Sequence, residues 1–157
     1  MNQTGLCVIA ALALALPAVA QESDKQLRLT PEEIHALPST GGGAGTSGLP
    51  GIRTTVVAGD PSANGAYTIV LQVPANTLIA AHHHRDARTA VVVAGTWYFG
   101  FGPVATEGAM KALPPGSFYT EPAGVMHFAR TGPAGATVYI SGIGPTDTVY
   151  DAKSSQH

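Results

Sequence analysis

From Ile52 onward, apolar and polar residues alternate in short runs, the period of a half-buried strand rather than of a helix. The runs fall at residues 52–58, 66–73, 77–84, 89–94, 96–101, 117–120, 126–131 and 136–140, with 89–94 and 96–101 pivoting on Gly95. Turn chemistry separates them: Gly59-Asp60-Pro61, Asn64-Gly65, Pro114-Pro115-Gly116, Gly132-Pro133 and Gly144-Pro145. Short strands at this spacing predict an all-β sandwich or barrel. After Gly51 the only helical hint is a turn around residues 106–111, and no internal repeat is visible.

Before Gly51 the pattern differs. Thr30-Pro31-Glu32-Glu33 is a helix start: Thr30 can cap, Pro31 suits the first turn, and Glu33 sits where a capping-box acid belongs. The helix ends near Leu37-Pro38. Residues 39–51, rich in Gly, Ser and Thr, then read as a flexible linker. The helix is therefore an arm that docks on the barrel or on a second subunit.

Residues 6–16 form an apolar run too short to span a bilayer. Pro17 breaks it, and Ala18-Val19-Ala20 supplies the small residues of a signal-peptidase site, with cleavage leaving Gln21 first. Residues 1–5 lack the usual Lys or Arg, so an uncleaved membrane anchor is the alternative. The expected layout is signal peptide 1–20, arm and linker 21–51, barrel 52–150 and tail 151–157. The expected location is periplasmic or secreted, with no membrane attachment after cleavage.

Composition narrows the function classes. Only 11% of residues are charged and the net charge is -2, so there is no basic stripe to neutralise nucleic-acid phosphates. The single cysteine, Cys7, lies within the expected signal, which leaves a mature chain without disulfides or thiolate chemistry.

The histidines carry the candidate chemistry. On a strand, side chains alternate faces, so His82 and His84 share one face and His83 takes the other. Two imidazoles on one face can share a metal ion. The remaining histidine of the strand-rich region is His127. A triple-histidine run also reads as an exposed polar patch. Leu78-Ile79-Ala80-Ala81 before it and the strand at 89–94 after it favour a core strand instead. Rings turned into a core must be satisfied, and a metal does so. Imidazole suits Fe, Mn, Zn, Ni and Cu. His35 and His157 lie near the ends and read as solvated. Trp97, Tyr98, Phe99, Phe101, Phe118 and Tyr119 read as core or barrel wall.

The spacing then becomes specific. His82-x-His84-x(3)-Arg88-x(6)-Gly95 resembles the first cupin motif, H-x-H-x(3,4)-E-x(6)-G. Gly116-x(5)-Pro122-x-Gly124-x(2)-His127 resembles the second, G-x(5)-P-x-G-x(2)-H-x(3)-N. The resemblance covers residues 52–150. It implies a double-stranded β-helix (the cupin, or jelly-roll, barrel) with a short N-terminal helical arm. It also implies His82, His84 and His127 as the metal ligands, a small-molecule substrate or ligand, and the option of a homodimer through the sheets.

Three positions depart from the pattern. Asn76 replaces a glycine and Thr131 replaces an asparagine. Arg88 stands where the family places a glutamate, the usual fourth ligand, and arginine cannot coordinate a metal. Three neutral imidazoles remain. Such a set is found in Fe(II) cupin dioxygenases, so Fe(II) is preferred among the candidate ions. Arg88 then binds a carboxylate or enolate of the substrate in a bidentate fork, or it swings outward or pairs with Asp86 or Glu121, or metal binding is lost. The expected function is a secreted metal-dependent oxidoreductase, dioxygenase-like, acting on a small oxygenated organic substrate. The alternative is a non-catalytic metal- or ligand-binding cupin for sensing or storage.

Overall fold

The computed structural model describes residues 26–150. The expected signal peptide, 1–20, and the tail, 151–157, lie outside the described residues. Helix α1 (Pro31–Ala36) forms as its capping box dictates. Glu33 N donates to Thr30 Oγ1 at 3.3 Å, and Thr30 N donates to Glu33 Oε2 at 2.7 Å. Pro38 has no N–H to continue the ladder, and the helix stops before it.

Among the described residues nine strands follow: β1 (Ser39–Thr40), β2 (Arg53–Ala58), β3 (Gly65–Val73), β4 (Leu78–His83), β5 (Arg88–Phe101), β6 (Lys111–Leu113), β7 (Phe118–Glu121), β8 (His127–Gly144) and β9 (Val149–Tyr150). A single 3₁₀ turn, Glu107–Ala109, occupies the hinted region. The strands pair antiparallel in the order β1-β2-β3-β8-β4-β9, and β5 adds to β8 while also pairing β6 and β7. This curled sheet is the all-β jelly-roll barrel that the paired motifs imply.

The runs at 89–94 and 96–101 are one strand, β5, and those at 126–131 and 136–140 are one strand, β8. Both strands continue through an irregularity instead of reversing. Gly95 (φ 72°) faces Gly135 (φ 71°) there, and a Cβ on Gly95 would lie 2.0 Å from the Gly135 carbonyl oxygen. Only glycine permits that approach. Gly95 therefore marks a bulge within one strand, not a pivot between two. Asn76 adopts the left-handed region (φ 52°), which its place in the first motif demands.

Inward residues of β3, β5 and β8 build the core: Tyr67, Ile69 and Leu71; Ala90, Val92, Trp97 and Phe99; Val138 and Ile140. Burial of each large apolar side chain contributes about 1.5–3 kcal/mol. Tyr119 joins this core, whereas Phe101 and Phe118 face outward and are exposed.

The Gly-rich stretch is fastened down. Arg53 Nε donates to Ser39 Oγ at 2.7 Å, Thr148 Oγ1 to the Thr46 carbonyl at 2.8 Å, and Tyr150 OH to the Ser47 carbonyl at 2.8 Å. Gly45 and Thr46 are buried. The stretch forms a cover over one end of the barrel.

Candidate metal centre

Strand alternation places the site. In β4, His82 points inward and His83 is half-buried on the opposite face. His84 follows the strand and is buried. His82 pairs in register with His127, the first residue of β8. The three ring centroids are separated by 4.9 Å (His82–His84), 4.4 Å (His82–His127) and 5.1 Å (His84–His127). One ligand nitrogen from each ring lies within 4.8 Å of the others.

The backbone selects which nitrogen. His82 Nδ1 donates to the Ala80 carbonyl at 2.7 Å, and His127 Nδ1 to the Val125 carbonyl at 2.9 Å. His84 Nδ1 donates to the Asp147 carbonyl. Each ring is thereby fixed as the Nδ1–H tautomer, and its Nε2 lone pair faces the interior. Burial holds all three rings neutral. His82 is lowered to about 4, by burial and then by His127. His84 is lowered to about 2, by burial and then by the Arg88 charge, and His127 is lowered by burial. Neutral imidazole is the ligating form.

Arg88 opens β5 on its inward face, opposite Glu121 of β7 in the strand register. Its Nε donates to Glu121 Oε2 at 2.6 Å. Its Nη2 contacts the same oxygen and donates to His84 Nε2. Burial opposes the guanidinium charge, and the Glu121 carboxylate more than restores it. Burial likewise pushes the Glu121 carboxyl up, yet Arg88, with His127 and His84, holds it below the ordinary carboxylate range. The expected fork for a substrate anion is thus already engaged by a carboxylate of the chain.

Glu121 is the site residue that the motif reading passed over as more than a partner for Arg88. Its Oε2 lies 3.7 Å from His84 Nε2 and 3.9 Å from His127 Nε2. The signal was its place in β7, where Tyr119 and Glu121 alternate inward while Phe118 and Thr120 face out.

The donor set suits a divalent ion. His127 Nε2 is a buried acceptor with no hydrogen-bond partner among the described residues. An imidazole lone pair left so is costly unless a cation takes it. His82, His84 and His127, with neutral rings and locked tautomers, would hold the metal. Its identity is open among ions that accept imidazole.

Around the histidines lies a cavity of about 20 Å³, bounded by Leu71, Ile79, Phe99 and Ile140 and covered by Gly45, Thr46 and Ser47. That is room for about one water-sized group. A further network steadies the site from outside. Tyr67 OH donates to Asp86 Oδ2 at 2.6 Å and Thr146 Oγ1 to Asp86 Oδ1 at 2.5 Å. Arg85 Nε donates to Asp147 Oδ2 at 2.7 Å. Together these bonds hold the segment whose Asp147 carbonyl orients His84. A Cβ on Gly142 would strike Asp86 Oδ2 at 2.6 Å, so glycine makes room for the network.

No family model and no curated protein matches the sequence. Solved structures match its shape. The polyketide cyclase RemF from Streptomyces resistomycificus superposes with a TM-score of 0.62 at 16% identity, over 83% of this chain and 89% of that one. A sugar phosphate isomerase of the cupin superfamily from Silicibacter pomeroyi gives 0.57 at 14% identity, over 80% and 82%. Salicylate 1,2-dioxygenase from Pseudoaminobacter salicylatoxidans, in complex with gentisate, gives 0.55 at 13% identity, over 66% of this chain and 30% of that one. The fold of this chain is the cupin fold.

Proposed function

We propose that this chain is an exported, metal-dependent oxidoreductase of the dioxygenase type, acting on a small oxygenated organic molecule in the periplasm or outside the cell. The observation that carries the reading is the convergence of three neutral imidazoles whose tautomers the backbone has set. A gentisate-bound dioxygenase shares the fold. The cyclase and the isomerase share the fold as well, so the reaction class rests on the donor set and not on the barrel.

A metal held by His82, His84 and His127 would supply Lewis-acid polarisation of substrate oxygens. The chain's own groups do the rest. The three carbonyl–Nδ1 bonds aim the rings. Leu71, Ile79, Phe99 and Ile140 form a dry wall that keeps water from the reacting atoms. Arg88 and Glu121 place opposite charges at the edge of the donor set and neutralise each other there.

The small cavity favours a second reading, a binding module that holds metal without turnover. Metal analysis of the full chain, purified anaerobically, tests both readings together with O2 uptake on 1,3-diketones, catechols and hydroxy acids. Stoichiometric metal with O2 consumption on one of these supports the enzyme. Stoichiometric metal with no turnover supports the binding module. Metal absent from wild type, and no change in His84→Ala, defeats both.

A further inference from the structure

The three-histidine centre contains a surplus of acceptors. His84 Nε2, His127 Nε2 and Glu121 Oε2 all present lone pairs to one small region, 3.7 Å and 3.9 Å from the carboxylate oxygen to the two nitrogens. Neutral nitrogens and a carboxylate repel one another at such range unless a cation lies among them. Arg88 meets part of that demand, at Glu121 and at His84. It does not hydrogen-bond His127 Nε2, which has no such partner among the described residues. Glu121 itself is 3% exposed, so water does not neutralise it.

We propose that Glu121 is a fourth, anionic donor to the ion held by His82, His84 and His127, and that Arg88 is a placeholder whose N–H groups occupy His84 Nε2 and Glu121 Oε2 until the ion takes them. The carboxylate that the cupin motif places on β5 has, in this chain, crossed to the facing position of β7. Arg88 and Glu121 are direct partners in the β5–β7 register, so the exchange keeps a carboxylate beside His84 and His127. The two residues have opposite effects on the ion. Glu121 adds negative charge and an oxygen ligand, which suits harder divalent ions such as Mn(II) or Fe(II) over a purely nitrogen set. Arg88 competes with the ion for the same lone pairs. The inference rests on the three-histidine reading above.

Titration of the full chain with Co(II), followed by its visible absorption, separates the two ideas, with Zn(II) competition giving relative affinities. Glu121→Gln is expected to bind Co(II) about 10–100-fold more weakly than wild type, with altered ligand-field bands. Arg88→Leu is expected to bind more tightly than wild type. Circular dichroism shows whether Glu121→Gln folds. If it does not, the comparison moves to Arg88→Leu against the double variant Arg88→Leu/Glu121→Leu, in which apolar side chains replace the buried pair. The single variant is then expected to hold Co(II) about 10–100-fold more tightly than the double. Equal affinities and identical bands, in whichever of the two comparisons the folding allows, overturn the role of Glu121 while wild-type binding leaves the three histidines intact. Absence of Co(II) binding in wild type overturns the three-histidine centre itself.

Discussion

Two cavities in this molecule differ in size and in chemistry. The larger, about 1110 Å³, lies between the N-terminal arm and the outer face of the sheet, lined by Ile34, Leu37, Val91, Val93 and Tyr139. The smaller, about 20 Å³, lies inside the barrel against the three histidines. The outer groove is wide and sets aliphatic side chains beside Arg53, Gln72 and Thr137. The inner one gathers three neutral imidazoles, a carboxylate and a guanidinium at or next to four strand ends. Volume follows from how loosely an arm lies on a sheet, and chemistry follows from which side chains the pleat turns inward. In this molecule the two are decoupled, and the reactive groups occupy the tighter space.

That contrast breaks most sharply at the buried ion pair. Arg88→Ala or Glu121→Ala leaves one buried charge without its partner and is expected to cost about 3–5 kcal/mol. Replacing both by leucine is expected to be nearly neutral. Urea denaturation checks both, and losses below about 1 kcal/mol for the single variants would mean that the inner cavity is wet.

Acid is the next lever. His82 binds a proton at 6.5 when exposed and at about 4 in the fold. Between those values the unfolded chain takes up a proton that the folded chain refuses. Stability is therefore full above 6.5 and falls as the pH drops toward 4, by about 3 kcal/mol for this ring alone. The lowered His84 adds to the loss in the same direction. Thermal melts from pH 7 to pH 4 read this slope, and His82→Phe is expected to flatten it.

Smaller again is the network behind His84. Tyr67→Phe removes the bond to Asp86 and is expected to cost about 1–3 kcal/mol, with weaker metal binding as the 146–148 segment loosens. Smallest of all, Val93→Ser in the exposed outer groove is expected to change stability by less than about 0.5 kcal/mol and metal affinity not at all. A large effect there would erase the distinction between the two cavities.

What could be read from the chain follows the range of the interactions. Helix α1 was legible because its signals lie within three residues: Thr30 and Glu33 cap each other. The inward histidines were legible because strand alternation is local and the motif offsets tie His127 to them. Glu121 was harder to see. It meets Arg88 across 33 residues, and nothing near it in sequence says which carboxylate faces which strand. The continuous courses of β5 and β8 were hidden by Gly95 and by Gly132-Pro133, which read as ends and are passed as irregularities. Strands β1, β6 and β9 are two or three residues long, too short for any period to register. The Gly-rich stretch has a linker's composition, yet its anchors come from Thr148 and Tyr150, more than a hundred positions away.

Those anchors have a thermodynamic consequence. The segment 146–150 does two jobs at once: the Asp147 carbonyl orients His84, while Thr148 and Tyr150 hold the cover. An ion on His84 and the bonds that seat residues 46 and 47 would therefore depend on one short segment, and coupling of that kind is reciprocal. An ion at the centre would favour the seated cover, and a seated cover would strengthen the ion's hold in turn.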